Sequence, residues 1–560
     1  MKAITDFYPK FFNTLKNYSK EKFLKDLMAG VIVGIVALPL AIAFGISSGV
    51  SPEKGLITAI IGGFIVSFLG GNTVQIGGPT GAFIVIVYGI IQTYGLEGLA
   101  IATFMAGLIL VLMGCFRLGS IIKFIPYPIV VGFTSGIALT IFATQVKDLL
   151  GLGVENVPAD FISKWIVYFQ NIGTINPWAL GIGVMSILVI AFAPRISNRI
   201  PGSLLAIVLM TLVVWILRRY FGVDCIETIG DRFDIAGSVP RPAPLKIDFG
   251  TINELLSPAF TIAVLGAIES LLSATVADGV TGDRTGSNTE LIAQGAANIV
   301  VPFFGGIPVT GAIARTMTNI NNGGRTPVAG MIHAVVLLLI FLFLMPLIRL
   351  VPMACLAGVL TVVAYNMSGW RTVRSMLKNP KSDVSVLVIT FLLTVVFNLT
   401  IAIEIGLILA VVLFIRRMAE TTKISVFHDE LDLAHDTESN AHEILKVSAG
   451  VEIYEIEGPF FFGVATKFDD VMRGMSDRPK VRIIRMRRVP FIDSTALHNL
   501  EILISSSRKE NIHIILSGVN PRVRATLEKA GIGTLVGNEN ICDHISKAVV
   551  RANALAGDMA

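Results

Sequence analysis

The chain has 560 residues, of which 53% are hydrophobic and 15% are charged, and its mean hydropathy is +0.73. Soluble globular proteins carry about 25% charged residues, so this chain has too few charges to cover a soluble surface of its size. The composition excludes a disordered chain, a collagen-like repeat and a small disulfide-linked secreted domain, and it argues against a wholly soluble enzyme. It predicts a membrane protein.

Cysteine spacing and net charge add little to this prediction. Cys115, Cys225, Cys355 and Cys542 are isolated, with no CxxC or Cys/His spacing. We therefore expect no metal site, no disulfide framework and no cofactor. The net charge of +5 is spread over the whole chain, and we expect no nucleic-acid partner.

Hydrophobicity divides the chain into two parts, because apolar runs shrink to strand length and charges become dense after Arg416 and Arg417. The first part contains about fourteen apolar stretches, many of them ~17 to 25 residues long, which is the length of helix that crosses a bilayer. We therefore expect a polytopic α-helical membrane protein with a smaller soluble domain after it. The predicted regions are an N-terminal cytoplasmic segment at 1–25, a transmembrane domain at 26–417, a linker at 418–440 and a cytoplasmic domain at 441–560.

Basic residues between the apolar stretches predict the orientation of the chain. Cytoplasmic loops carry an excess of Lys and Arg, and the basic clusters here fall on the cytoplasmic side if the amino terminus is cytoplasmic and the helix count is even. Both termini are then cytoplasmic, in a multi-pass protein of the cell inner (plasma) membrane. The clusters are Lys10, Lys16, Lys20, Lys22 and Lys25; Arg371, Arg374, Lys378 and Lys381; and Arg416 and Arg417.

An internal repeat points to a site within the membrane part. Gly55–Gly71 matches Glu290–Gly306 in the order of its apolar residues and in its terminal Gly-Gly, and each copy is followed by a Pro, a Thr-Gly-Ala sequence and a further apolar stretch. Transporters built from inverted repeats bind substrate where broken helices from the two halves meet near the midplane. We expect the two breaks to face one another, since irregular backbone at membrane depth must be covered by protein or line a cavity.

The repeat predicts an anion site. Each helix after a break begins with Thr at or near its N-cap, so backbone N–H groups and the positive end of the helix dipole are directed at the gap between the helices. Two converging helix N-termini favour a bound anion. The candidate substrate-binding residues are Thr80, Gly81 and Ala82 in the first half, and Thr310, Gly311 and Ala312 in the second.

Two charged residues stand out inside apolar stretches. Arg315 lies one helical turn inside the second broken helix, where an unpaired guanidinium would be costly, so it faces either a substrate anion or a structural salt-bridge partner. Glu269 is central to an earlier helix of the same half, and an intramembrane carboxylate is by default a proton or cation relay. The alternative for both is a permanent ion pair between Glu269 and Arg315.

At these residues the chain resembles the SulP anion permeases, the bacterial branch of solute carrier family 26, over nearly its whole membrane part. The GAIESLL segment is similar to that of proton-coupled members that take up C4-dicarboxylates, in which the glutamate matching Glu269 is assigned to proton coupling. Sodium-linked bicarbonate members tend to carry aspartate there. The motifs that carry the resemblance are LPLAIAFGISSGVSPEKGL at 38–56, IGGPTGAF at 76–83, GAIESLLSA at 266–274 and TGAIARTMTNINNGGRTPVAG at 310–330.

The resemblance implies fourteen segments in a seven-plus-seven inverted repeat, with a mobile core domain and a fixed gate domain. Substrate would bind between the N-termini of the third and tenth helices, with Arg315 as the cationic position and Leu40 and Phe44 lining the pocket. Some relatives place a polar side chain where this chain has Leu40, which leaves fine selectivity open. Elevator-like alternating access and a homodimer are further expectations from the resemblance.

The C-terminal part resembles a STAS domain, a small α/β fold. Strands are predicted at Val447–Ile456, Val481–Met486 and Ile512–Gly518. Between the last two, Asp493 and Ser494 begin a helix. From the residues alone this is an N-cap, and the resemblance adds that the matching serine of soluble STAS proteins is phosphorylated, so Ser494 is a candidate regulatory site.

The sequence therefore predicts a secondary active transporter of a small anion, such as a C4-dicarboxylate, sulfate or bicarbonate, that is coupled to protons. The alternatives are an anion channel, a sodium-coupled bicarbonate or sulfate transporter, and a membrane sensor whose output is the cytoplasmic domain. The cytoplasmic part contains no GxxxxGK[ST] sequence, so no ATPase is expected. We expect a transporter and not an enzyme.

Overall fold

The computed structural model divides the chain into two compact units, Met1–Ile408 and Leu409–Ala560. Residues 1–6 of the predicted N-terminal segment and 433–443, at the end of the predicted linker and the start of the predicted C-terminal domain, lie outside the described residues. The structure describes residues 7–16, 18–120, 126–154, 157–196, 201–234, 241–245, 250–397, 399–427, 430–432, 444–464, 468 and 479–557.

The first unit is helical. Its first half comprises α1 (Lys10–Lys16), α2 (Lys20–Ser47), α3 (Pro52–Ile57), α4 (Gly63–Leu69), α5 (Ile84–Cys115), α6 (Tyr127–Leu150), α7 (Phe161–Gln170), α8 (Pro177–Ile196) and α9 (Gly202–Phe221). Its second half comprises α10 (Ile229–Arg232), α11 (Ile252–Thr281), α12 (Ser287–Val300), α13 (Ile313–Asn321), α14 (Pro327–Phe343), α15 (Met345–Ile348), α16 (Met353–Met367), α17 (Trp370–Met376) and α18 (Lys381–Val396). A further helix, α19 (Leu399–Thr421), follows.

Eight helical segments in the described part of the chain are long and apolar enough to cross a bilayer. This confirms a polytopic α-helical membrane protein, whereas the count of about fourteen segments stays a prediction. Two features of the helices mean that they do not correspond one to one with membrane crossings. α5 contains a break at Gly95, whose φ of 68° interrupts the helix, and α12 and α13 are only 14 and 9 residues long.

The two predicted breaks face one another. The chain between α4 and α5 contains a short strand, β1 (Gly77–Gly78), and the chain between α12 and α13 contains β2 (Thr310–Gly311). The two strands pair antiparallel, with Gly77 opposite Gly311 and Gly78 opposite Thr310. This pairing satisfies backbone groups that would otherwise lie unbonded inside the membrane part.

Glycines let α5 and α12 pack with their backbones in contact. A Cβ atom added to Gly107 would lie 2.7 Å from the backbone nitrogen of Ile299 and 2.8 Å from the carbonyl oxygen of Gly295. One added to Gly295 would lie 2.6 Å from the carbonyl oxygen of Gly107. Small residues at a crossing are the usual means of close helix packing in membranes, where apolar side chains gain little from leaving lipid.

The second unit has the α/β organisation predicted for it. Its five-stranded sheet has the order β3 (Lys423–Phe427), β6 (Val451–Glu457), β7 (Val481–Arg488), β8 (His513–Ser517) and β9 (Ile541–Cys542). β3 is antiparallel to β6 and the other neighbours are parallel. A separate hairpin pairs β4 (Glu430–Asp432) with β5 (Ile444–Lys446).

Helices cover both faces of this sheet. The α-helices described after β7 are α20 (Ser494–Lys509), α21 (Pro521–Lys529), α22 (Ile532–Val536) and α23 (Ile545–Gly557). Leu500 of α20 and Leu527 of α21 pack in one buried cluster, and Ile545 and Val549 of α23 pack in another. The three strands predicted here are confirmed, although the first begins at Val451 rather than Val447.

We predict that Gly107→Ala destabilises the protein while Gly89→Ala does not. Both glycines lie in α5, but a Cβ at Gly107 meets backbone atoms of α12, whereas one at Gly89 meets nothing within 4 Å. Overpacking costs typically ~1–3 kcal/mol, and Ala favours a helix over Gly by up to ~1 kcal/mol. Thermal unfolding of the purified protein in detergent measures both variants, and an equal effect would contradict the proposed backbone contact.

Candidate functional site

A cavity of about 470 Å³ lies where the two broken helices meet. Its wall combines the N-terminal ends of both, together with residues of α2, α6, α11, α16 and α17. Of the residues predicted from the sequence, eight line this cavity: Leu40, Phe44, Thr80, Gly81, Ala82, Glu269, Ala312 and Arg315. Cavities of ~300–1,000 Å³ with a few polar groups are typical of small-ligand sites.

Thr80 forms the first helix end as predicted. It is the N-cap, in extended conformation, of a single 3₁₀ turn at Gly81–Phe83 that leads into α5. Its side chain does not cap the helix, and its hydroxyl is buried without a hydrogen-bond partner among the described residues. A buried polar atom without a partner is costly, so this hydroxyl is free to bind a ligand in the cavity.

The second helix end begins two residues later than Thr310. Ala312 is the N-cap of α13, and its N–H donates to the carbonyl of Ile76 at 2.9 Å. Thr310 lies in β2, where its hydroxyl is 2.7 Å from that of Ser270 and donates to the carbonyl of Gly266 at 3.1 Å. Thr310 and Gly311 are not among the residues that line the cavity. They hold β2 against α11, since the N–H of Gly311 also donates to the Ser270 hydroxyl at 3.0 Å.

Arg315 connects the two halves. Its side chain is 2% exposed, and its Nη2 donates to the carbonyl of Pro79, which precedes the first helix end. Gly78 allows this approach, because a Cβ atom there would overlap Nη1 of the guanidinium. Nη1 has no hydrogen-bond partner within the described ranges. A buried guanidinium with an unused donor in a cavity wall is suited to bind an anion.

Glu269 lines the same cavity from the middle of α11 and is 9% exposed. In the part of the chain that the structure describes, it makes neither an ion pair with Arg315 nor a hydrogen bond. The permanent Glu269–Arg315 pair considered above is therefore not formed. A cation and a carboxylate instead face one cavity separately, so that each is available to a ligand or a proton.

A buried polar network fixes the turn before β1. Glu290, which is fully buried, accepts hydrogen bonds from the N–H groups of Gly71 and Asn72 at 2.9 and 3.2 Å, and from the amide of Gln75 at 3.1 Å. The amide of Gln294 donates to it at 2.9 Å. Because the donors come from both halves of the repeat, the network holds the first break beside α12.

One wall of the cavity was not predicted. Its polar members are uncharged and lie on helices outside the repeated motifs, so neither charge nor self-comparison of the sequence indicates them. They are Tyr127, Thr134 and Ser135 of α6, Asn366 of α16 and Thr372 of α17. Thr134, Ser135 and Asn366 interrupt otherwise apolar stretches, which is the signal that could have indicated them. Thr372 lies in a basic segment and carries no such signal.

Family comparisons cover both units. The sulfate permease family matches residues 23–390, and the STAS domain matches residues 444–548. The structure is similar over 99% of this chain and 95% of that chain to murine solute carrier 26 family member A9, an anion transporter described in the inward-facing state, with a TM-score of 0.87 and 19% identity. At that identity the likeness shows the fold.

Two bacterial relatives match over most of their length. The chain is 41% identical over 540 residues to "Putative sulfate transporter YvdB" of Bacillus subtilis (strain 168), covering 96% of this chain and 99% of the relative. It is 29% identical over 520 residues to the bicarbonate transporter BicA of a Picosynechococcus species, covering 90% of each. The chain therefore belongs to the sulfate permease family, the SulP branch of the solute carrier 26 transporters, and carries the STAS domain of that family.

Proposed function

We propose that the protein is a secondary active transporter that moves a small oxyanion across the bacterial plasma membrane. The observation that carries this proposal is the meeting of two helix N-termini, the unused Nη1 donor of Arg315 and the separate carboxylate of Glu269 in one cavity. Helix N-termini favour negative charge, and a buried guanidinium binds an oxyanion through charge-assisted hydrogen bonds.

Within this cavity the anion binds between the Thr80 and Ala312 helix ends, with Arg315 at one side. Leu40 and Phe44 supply an apolar wall that excludes water and strengthens these interactions. Relatives named for sulfate and bicarbonate transport support a small inorganic oxyanion. The likeness of the GAIESLL segment to dicarboxylate carriers makes a C4-dicarboxylate the third candidate.

Glu269 provides a route for proton coupling. A carboxylate that faces the substrate cavity without a cationic partner can take up a proton when an anion enters, and this lowers the net charge that must be moved. Sodium is the alternative coupling ion, since carboxylate, hydroxyl and carbonyl oxygens bind hard cations. The carbonyl of Gly266, three residues before Glu269 on α11, accepts a hydrogen bond from the hydroxyl of Thr310 at 3.1 Å.

The cavity fits an inward-open arrangement in an elevator mechanism. Thr372, which lines it, belongs to α17 and lies within the basic cluster from Arg371 to Lys381 that the sequence assigns to the cytoplasm. On α5, the hydroxyl of Tyr88 donates to the carbonyl of Val157 at 2.7 Å, a contact suited to close the opposite entrance. A homodimer with cytoplasmic termini completes the proposal.

We expect Arg315→Ala to weaken anion binding about 10- to 100-fold, because hydrogen bonds to charged groups contribute ~1.5–3 kcal/mol. Isothermal titration calorimetry with sulfate, bicarbonate and succinate measures the loss and identifies the substrate. Arg315→Lys keeps the positive charge but loses the paired N–H donors of the guanidinium, so its anion affinity should lie between those of the wild-type protein and Arg315→Ala. Unchanged affinity in a folded Arg315→Ala protein would show that the anion binds elsewhere.

We expect Glu269→Gln to bind the anion but to lose the acceleration of uptake by an inward pH gradient, because the amide cannot take up a proton. Uptake into proteoliposomes, with and without pH and sodium gradients, measures the coupling. Glu254→Gln, which changes an exposed carboxylate of the same helix α11, is the matched control. Uptake that needs neither gradient in the wild-type protein would contradict secondary active transport and favour a channel.

We also propose Ser494 as a regulatory position. It is exposed as the first residue of α20, after the N-cap Asp493, whose carboxylate accepts from the N–H of Ala496 at 2.9 Å. A phosphate at a helix N-terminus is favoured by the dipole. We expect Ser494→Asp to change the uptake rate and Ser494→Ala to leave it unchanged, and equal rates for both variants would argue against this role.

A further inference from the structure

A second cavity, which we call the lateral groove, lies among α6, α16, α17 and α18 and has a volume of about 720 Å³. It is separate from the cavity described above, although Ser135 of α6 lines both. Several of its lining side chains are large, apolar and exposed, including Leu377, Val388 and Leu392. In a chain that crosses a bilayer, such side chains face the hydrocarbon, so the groove is open to lipid.

Among the hydroxyl-bearing side chains of the wall, those of Ser135, Ser368 and Thr361 are already hydrogen-bonded. Ser135 donates to the carbonyl of Ser368 at 2.7 Å, Ser368 to that of Tyr365 at 2.7 Å, and Thr361 to that of Ala357 at 2.8 Å. The rest of the wall is mostly Ala, Leu, Val and Phe. A ligand in this part of the groove is therefore held by apolar contact, as an acyl chain would be.

One end of the groove is cationic. Arg374 lines it and is exposed, and Trp370 and Tyr365 lie beside it with the indole N–H donating to the phenol oxygen at 3.0 Å. The guanidinium of Arg371 lies 5.4 Å from the centre of the Trp370 ring. Trp and Tyr are enriched at the membrane–water interface, which assigns this end to the level of the lipid headgroups.

The basic residues at this end of the groove are Arg371, Arg374, Lys378 and Lys381. Within the described ranges, these four form no ion pair, so their charge is available to a ligand. Basic pockets between transmembrane helices on the cytoplasmic side attract anionic lipid headgroups, each Lys or Arg contributing about fivefold to affinity. The groove thus combines an apolar channel with a cationic end at the depth of a phosphate.

We propose that the lateral groove binds one anionic phospholipid of the cytoplasmic leaflet. An acyl chain occupies the space among α6, α16 and α18, and the phosphate lies against Arg374. Charge complementarity selects this occupant over a zwitterionic lipid, whose own ammonium group competes for the phosphate. The satisfied hydroxyls of the wall argue against a soluble polar ligand.

The helix α17 contributes to the walls of both the lateral groove and the substrate cavity. Trp370, Val373 and Arg374 line the lateral groove, whereas Thr372 of the same helix and the adjacent Gly369 line the other cavity. A lipid bound on one side of α17 therefore contacts the helix that forms part of the cavity wall on the other.

The test measures binding of phosphatidylglycerol and of phosphatidylcholine with identical acyl chains to the purified full-length protein, by native mass spectrometry from detergent. We expect phosphatidylglycerol to bind more tightly. Arg374→Ala should reduce its affinity about fivefold, and Arg371→Ala combined with Arg374→Ala about 25-fold, with little change for phosphatidylcholine. Arg219→Ala, which removes an exposed arginine of α9 outside the groove, is the control.

A second pair of variants tests the acyl-chain site. Val388 and Val396 lie on α18 and are 38% and 39% exposed, but only Val388 lines the groove. Val388→Trp should fill the groove and reduce phosphatidylglycerol binding, whereas Val396→Trp should not. Equal effects of Arg374→Ala and Arg219→Ala would show that the lipid binds non-specifically around the protein, and would overturn the proposal. So would glycerol phosphate binding as tightly as the lipid, or Val388→Trp changing the oligomeric state without changing lipid binding.

Discussion

Backbone hydrogen bonding at membrane depth is the constraint on which the site depends. A break in a helix exposes N–H and C=O groups where no water is available to satisfy them, so each broken segment needs a partner. Here each break supplies the partner of the other, through the pairing of β1 with β2 and the bond from Ala312 to the carbonyl of Ile76. Side chains of Ser270 and Glu290 satisfy neighbouring groups.

This solution brings both helix N-termini to one place. The two strands are antiparallel, so the helices that follow them start near one another and leave in different directions. Arg315 then reaches across to the carbonyl of Pro79 in the other half, which is possible only because Gly78 has no side chain. The cavity proposed as the anion site is thus a consequence of how the two breaks satisfy each other, and one residue of the second helix, Arg315, adds the positive charge.

The sequence predicted this arrangement to a considerable extent because its determinants are local. The Gly-Gly and Thr-Gly-Ala pattern located both breaks, and Arg315 and Glu269 were conspicuous in a chain so poor in charge. Thr310 was expected near an N-cap, but its hydroxyl bonds to α11, and this tertiary contact delays the helix start to Ala312. Asn366 and Thr372 were missed because only the packing of distant helices brings them to the cavity.

The pairing of the two breaks also determines what holds the two helix ends in position. Two helix ends held only by a bound ion would fray when that ion left, and the next ion would have to order them again at the expense of its own binding free energy. Strand pairing and the Glu290 network are made by protein groups alone, so the donors at the two helix ends need no bound ion to hold them in position. In the proposed transporter, the anion therefore keeps the binding free energy that ordering the two helix ends would otherwise cost.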